Sequence, residues 1–185
     1  MSSIPVGTAT FLFTDIEGST RLLRELGATY GEMQARHFEL MREALAAHGG
    51  VEVNTEGDAL FAAFSSPLEA VRATVEMQRA LAAESWPQPI RVRMGLHTGE
   101  AQLSGRDYVG MAVNRAARIA AAGHGGQVLV SEATRALVNG QLGDGLRLRD
   151  LGNHRLKDLD GSERLFQVVA DELLEIGRAS CRERV

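Results

Sequence analysis
Short runs of β-branched and aromatic residues, alternating with helix-forming stretches, constrain this chain more than any other feature. Thr8 to Thr14 (TATFLFT) is such a run, stopped by Asp15 and followed by Glu17-Gly18-Ser19-Thr20. It predicts a buried strand feeding a turn, with Ser19 or Thr20 capping the next helix. From Thr20 to about His48 leucines and methionines return at helical spacing. Gly27 and Gly31 interrupt that pattern and Gly49-Gly50 end it, so two helices or one broken helix are expected. Val51–Thr55 and Ala59–Phe64 predict a hairpin around Glu56-Gly57-Asp58. Ser66-Pro67 opens a helix to about Ala83, and Trp86-Pro87-Gln88-Pro89 breaks it.

A strand over Ile90–His97 follows, then a glycine-rich turn from Ser104 to Gly110 and an alanine-rich helix over Met111–Ala122. Gln127–Val130 predicts another strand, and Leu146–Leu148, Leu151–Leu156 and Arg164–Val169 are the last ordered stretches. The order implies a ferredoxin-like βααββαβ sandwich of the α+β class. Its sheet is mostly antiparallel, helices cover one face, and a small C-terminal extension follows.

With 185 residues, one domain is expected. A formal charge of -4 and 5% aromatics give no basic footprint for nucleic acid. Neither a signal peptide nor a run of about 20 apolar residues is present, so this piece is expected to remain cytoplasmic and outside the membrane. The one cysteine, Cys181, excludes an intrachain disulfide or a thiolate zinc site.

Asp15 and Asp58 both sit at strand ends beside glycine-containing turns. If their strands share a sheet, the two carboxylates become neighbours and suit a hard cation such as magnesium, which binds one or two carboxylates plus substrate phosphates. An aspartate after a strand also serves as a turn or cap residue, and that alternative stands beside the metal. Asn114 and Arg118 lie one helical turn apart and leave one face of the alanine-rich helix. They form either a solvated face or a pair in which Arg118 braces a phosphate and Asn114 hydrogen-bonds a ribose or a polarised oxygen. DIEGST lacks the alternating oxygen ligands of a calcium loop, and AAGHGGQ lacks a GxxxxGK[ST] phosphate signature. His97 and His124 have no ligand spacing and are expected in core or turn positions.

Taken together, FLFTDIEGSTRL, GDALFAAF, RVRMGLHTGE, DYVGMAVNRAARIAAAGHGGQVLVS and HRLKDL resemble the class III adenylyl and guanylyl cyclase catalytic domain, in order and spacing, over Thr8 to Val169. The resemblance implies that Asp15 and Asp58, with the Ile16 backbone carbonyl, hold two Mg2+ or Mn2+ ions. It implies that Asn114 orients the ribose, Arg118 the α-phosphate, and Lys157 the terminal phosphates. These last three would come from a second copy of the chain, so the active species would be a homodimer. Asn54 stands where adenylyl cyclases usually carry lysine, and Asp107 matches its partner in base reading. An asparagine donor and an aspartate acceptor favour ATP over GTP, with a weaker contact and low turnover. The product would be 3′,5′-cyclic AMP. The other reading is a cyclase-like module that binds nucleotide or only dimerises and regulates a downstream region.

The domain is expected over residues 1–170 and a tail over 171–185. Glu175 to Val185 (EIGRASCRERV), back-translated, matches a common short-read sequencing adapter. It is read as appended, with the natural protein continuing past about residue 174 into a regulatory or ATPase region. A genuine polar C-terminus is the alternative.

Overall fold
The computed structural model describes residues 4–105, 107–143, 145–171 and 173. The expectations for residues 174–185, including Cys181 and the expected adapter origin of Glu175 to Val185, lie outside the described residues.

The strands are β1 (Gly7–Ile16), β2 (Val51–Glu56), β3 (Ala59–Phe64), β4 (Val92–Ser104), β5 (Asp107–Val109), β6 (Val128–Ser131), β7 (Leu146–His154) and β8 (Glu163–Ala170). The helices are α1 (Ser19–Leu26), α2 (Tyr30–Ala47), α3 (Pro67–Ala83), α4 (Met111–Ala122) and α5 (Glu132–Val138). One sheet runs β2-β3-β1-β4-β6-β8-β7, with β5 paired to β4. β4 and β6 are parallel and the other pairs antiparallel. The first four strands carry the expected ferredoxin-like order, and the α+β class and mostly antiparallel sheet stand as read from the sequence.

Alternation along β1 divides the core. Leu12 and Ile16 point to one face, where Leu60, Ala62, Phe64, Met94 and Leu96 of the neighbouring strands meet α1, α2, α3 and α5. This is the expected helical layer. Ala9, Phe11 and Phe13 point to the other face, and α4 lies there, bringing Ala112 and Ala116 against Phe11, Phe61 and Ala63. α4 approaches closely because β4 presents glycine beneath it. A Cβ on Gly95 would lie 2.2 Å from the Ala120 backbone nitrogen, and one on Gly99 would lie 2.9 Å from the Ala112 Cβ. Further along, Ile119 and Ala122 pack with Leu129, Leu151, Leu156 and Leu165.

Local details differ from the expected pattern. α1 begins at Ser19, and the residue before it, Gly18 at φ 74°, is the cap; neither Ser19 nor Thr20 takes that role. The break in the helical stretch is a 3-10 turn over Gly27–Thr29, whereas Gly31 is inside α2. Residues 107–109, expected in a turn, form β5, and α5 was not anticipated. Leu146–Leu148 and Leu151–Leu156 merge into β7, where a register shift between Asp150 and Gly152 interrupts the alternation.

Candidate active site
Asp15 sits near the end of β1, on the α4 side, directly across from Arg93 of β4. Arg93 donates from Nε to Asp15 Oδ2 at 2.8 Å, and its Nη2 closes on the same oxygen. Asp58 belongs to the β2–β3 turn, where Gly57 takes a positive φ of 59°. The Ile16 amide donates to Asp58 Oδ2 at 2.8 Å, joining that turn to the end of β1. Gln34 Nε2 of α2 donates to the Gly57 carbonyl at 2.8 Å and holds the turn from the other side. The strand pairing thus brings Asp15, Ile16 and Asp58 together, as expected from their setting.

The electrostatics fit a cation. Burial raises the Asp15 carboxyl above its ordinary pKa, Arg93 opposes that shift, and the nearby Asp58 charge adds to it. Tyr30, at the start of α2, has its hydroxyl pushed up by burial and then by the Asp58 and Asp15 charges. Two half-buried carboxylates form a pair of hard oxygen donors. Among the described residues no group of three or more His, Cys, Asp or Glu side chains gathers. A metal on this pair would draw its remaining ligands from backbone, water or substrate, as magnesium does at phosphate sites.

Beside the acidic pair lies a groove of about 360 Å³ lined by Phe13, Asn54, Glu56, Asp107, Tyr108 and Val113, among others. Phe13 and Phe61 stack within it at 4.4 Å and 11°. Tyr108 meets Phe11 edge-on at 5.0 Å and anchors its hydroxyl on the Pro5 carbonyl at 2.6 Å. A register shift in β2 between Glu52 and Asn54 re-aims the strand at this point. Asn54 and Asp107, far apart in sequence, therefore share one aromatic-floored groove.

Asn114 and Arg118 are on α4, as expected. Arg118 Nη2 donates to Asp158 Oδ2 at 2.5 Å, in the turn that also carries Lys157. Among the described residues neither Asn114 nor Arg118 is hydrogen-bonded to Asp15 or Asp58. Sequence reasoning missed Arg93, Tyr30, Glu56 and Asp158. The first could have been found only from the β1–β4 register, since the sequence does not show which β4 side chain faces Asp15.

A mostly antiparallel sheet thus carries an acidic pair beside a polar-rimmed aromatic groove, and comparison supplies the family. Residues 1–169 match the model of the adenylate and guanylate cyclase catalytic domain. An uncharacterised protein of Mycobacterium tuberculosis is 39% identical over 173 residues, covering 92% of this chain and 59% of that protein. An adenylate cyclase of Mycosarcoma maydis is 36% identical over 166 residues, covering 75% of this chain and 7% of that protein. A solved structure of a Trypanosoma brucei adenylate cyclase in its monomeric state superposes with a TM-score of 0.85 at 26% identity, covering 94% of each chain. The chain belongs to the adenylate and guanylate cyclase catalytic-domain family. It spans 59% of the length of the mycobacterial relatives.

Proposed function
We propose that this domain is an adenylyl cyclase that converts ATP to 3′,5′-cyclic AMP and pyrophosphate in a site shared by two copies of the chain. The convergence of Asp15, Ile16 and Asp58 beside the Asn54–Asp107 groove carries this reading. The ribose 3′ oxygen attacks the α-phosphorus as its proton passes to solvent water, and the bond from the α-phosphorus to the oxygen bridging it to the β-phosphorus breaks, so that pyrophosphate departs with that oxygen.

Asp15 and Asp58, with the Ile16 carbonyl, would hold two Mg2+ or Mn2+ ions. Bound there, the ions supply Lewis-acid activation of the 3′-hydroxyl and charge compensation for the leaving pyrophosphate. Arg93, which neutralises Asp15 in this structure, adds a cation beside the triphosphate. Asp107 accepts a hydrogen bond from the exocyclic amine of adenine, where guanine presents an oxygen that a carboxylate repels. Asn54 donates its amide to a ring nitrogen, and the stacked Phe13 and Phe61 offer an apolar wall to the base. From the second copy, Asn114 orients the ribose, Arg118 meets charge developing at the α-phosphate, and Lys157 contacts the terminal phosphates.

Purified domain supplied with Mn2+ and either ATP or GTP tests this. Slow production of cyclic AMP in excess of cyclic GMP is expected. More cyclic GMP than cyclic AMP would overturn the base assignment.

A further inference from the structure
Asp158 closes the ion pair on Arg118, and catalysis as described gives it no role. It lies in the turn between β7 and β8, directly after Lys157. It is the only non-glycine among the described residues with a positive φ, 60°. That backbone conformation is strained for an L-residue and free for glycine, although aspartate tolerates it better than most. The Asp158 and Arg118 side chains are 58% and 40% exposed, and ion pairs in such positions add little to stability. Folding alone therefore gives aspartate no advantage over glycine here. What aspartate adds is a charged acceptor fixed against one nitrogen of Arg118.

The turn itself is anchored. Leu156 packs with Ile119 of α4 in the buried cluster, Leu159 packs against that cluster, and the Leu159 amide donates to the Leu156 carbonyl at 3.3 Å. Asp158 is thus held by the backbone on both sides while its carboxylate reaches α4. An arginine offers five N–H donors, and the contact shown engages Nη2 alone. The rest of the guanidinium remains available to an oxyanion, with its orientation already set. Fixing a long, flexible cation before the reaction removes an ordering cost from the barrier. The same short segment carries Lys157.

We infer that Asp158 is a positioning residue that aims Arg118 at the reacting phosphate, a role that rests on the cyclase reading of this site. Wild type, Asp158→Gly and Asp158→Asn are compared by thermal unfolding and by kcat and KM for ATP with Mn2+. Asp158→Gly unfolds at the wild-type temperature or higher, while kcat falls about 10- to 100-fold and KM stays within about threefold, the signature of lost alignment. Asp158→Asn keeps an oxygen acceptor without the charge and recovers part of the loss. A kcat for Asp158→Gly within about twofold of an active wild type overturns the role of Asp158 and leaves the cyclase reading intact. A wild type that makes no cyclic nucleotide at any protein concentration sinks the cyclase reading, and the role of Asp158 with it.

Discussion

His37 is fully buried in α2, and among the described residues neither of its ring nitrogens has a hydrogen-bond partner. Burial, with the Arg42 charge adding to it, pushes the imidazole down to about 4. The unfolded chain takes up that proton near the ordinary value of about 6.5. The folded chain resists until about 4, so this contribution is complete above pH 6.5 and is lost as pH falls towards 4, by about 3 kcal/mol. His97, lowered to about 4 by burial and the Arg115 charge, adds a second slope of the same sign. Replacing His37 with leucine removes an unsatisfied polar group worth about 1–3 kcal/mol. His37→Leu is therefore expected to raise Tm by about 2–4 °C per kcal/mol gained and to flatten the decline below pH 6.5, as followed by calorimetry. An unchanged Tm and an unchanged acid slope would contradict this account. His37 shares its helical spacing with Met33, Leu40 and Met41, which marks a buried position, yet its lack of a partner is invisible in the sequence, because only tertiary contacts decide what surrounds a buried ring. The proximity of Asp15 and Asp58 was legible for the opposite reason: each is placed by a local strand-to-turn boundary, Asp15 near the end of β1 and Asp58 in the turn before β3.

α4 is the element whose limits the sequence marks best, since Gly110 and Gly123 bracket an alanine-rich run free of glycine and proline. Its position in the fold was not readable. Ala112, Ala116 and Ala120 repeat every fourth residue, and such a stripe suits any close surface. The deciding complement lies in β4, where Gly95 and Gly99 remove the side chains that would separate helix from sheet. Gly95→Ala is expected to destabilise the domain by about 1–3 kcal/mol or more, because the clash is with backbone that cannot rotate away. Gly99→Ala, facing the Ala112 methyl, should cost less, and denaturant unfolding of the two variants gives the order directly. The reverse order would mean that α4 is not seated as described. α5 escaped notice because seven residues are too few for a periodic pattern. Its one signal was Ser131, whose hydroxyl accepts from the Thr134 amide as a helix cap.

At the scale of the whole molecule, the acidic pair and the Asn114–Arg118 pair have separate partners within one chain, Arg93 for the first and Asp158 for the second. A shared site between two copies makes a sharp demand on mixtures. Asp15→Ala and Arg118→Ala proteins should each be inactive. Mixed in equal amounts they should regain about one quarter of wild-type activity, since half of the dimers are mixed and each holds one intact site. No recovery in the mixture, with both proteins folded, would argue against a composite site. The mostly antiparallel sheet and the ferredoxin-like order of its first four strands followed from the sequence of elements, whereas the β1–β4 register that sets Arg93 on Asp15 did not, because it is fixed by packing on both faces of the sheet at once.

That same strand has a mechanical consequence. β4 carries Arg93 at one end of the α4 contact and Gly99 at the other, and α4 is pressed onto it with no room for a side chain between them. Helix and strand therefore travel as one rigid strut. A displacement of the α4 backbone, which carries Asn114 and Arg118, therefore also shifts Arg93, the counter-charge of Asp15, so a single push on the strut moves both groups of candidate site residues on the chain together.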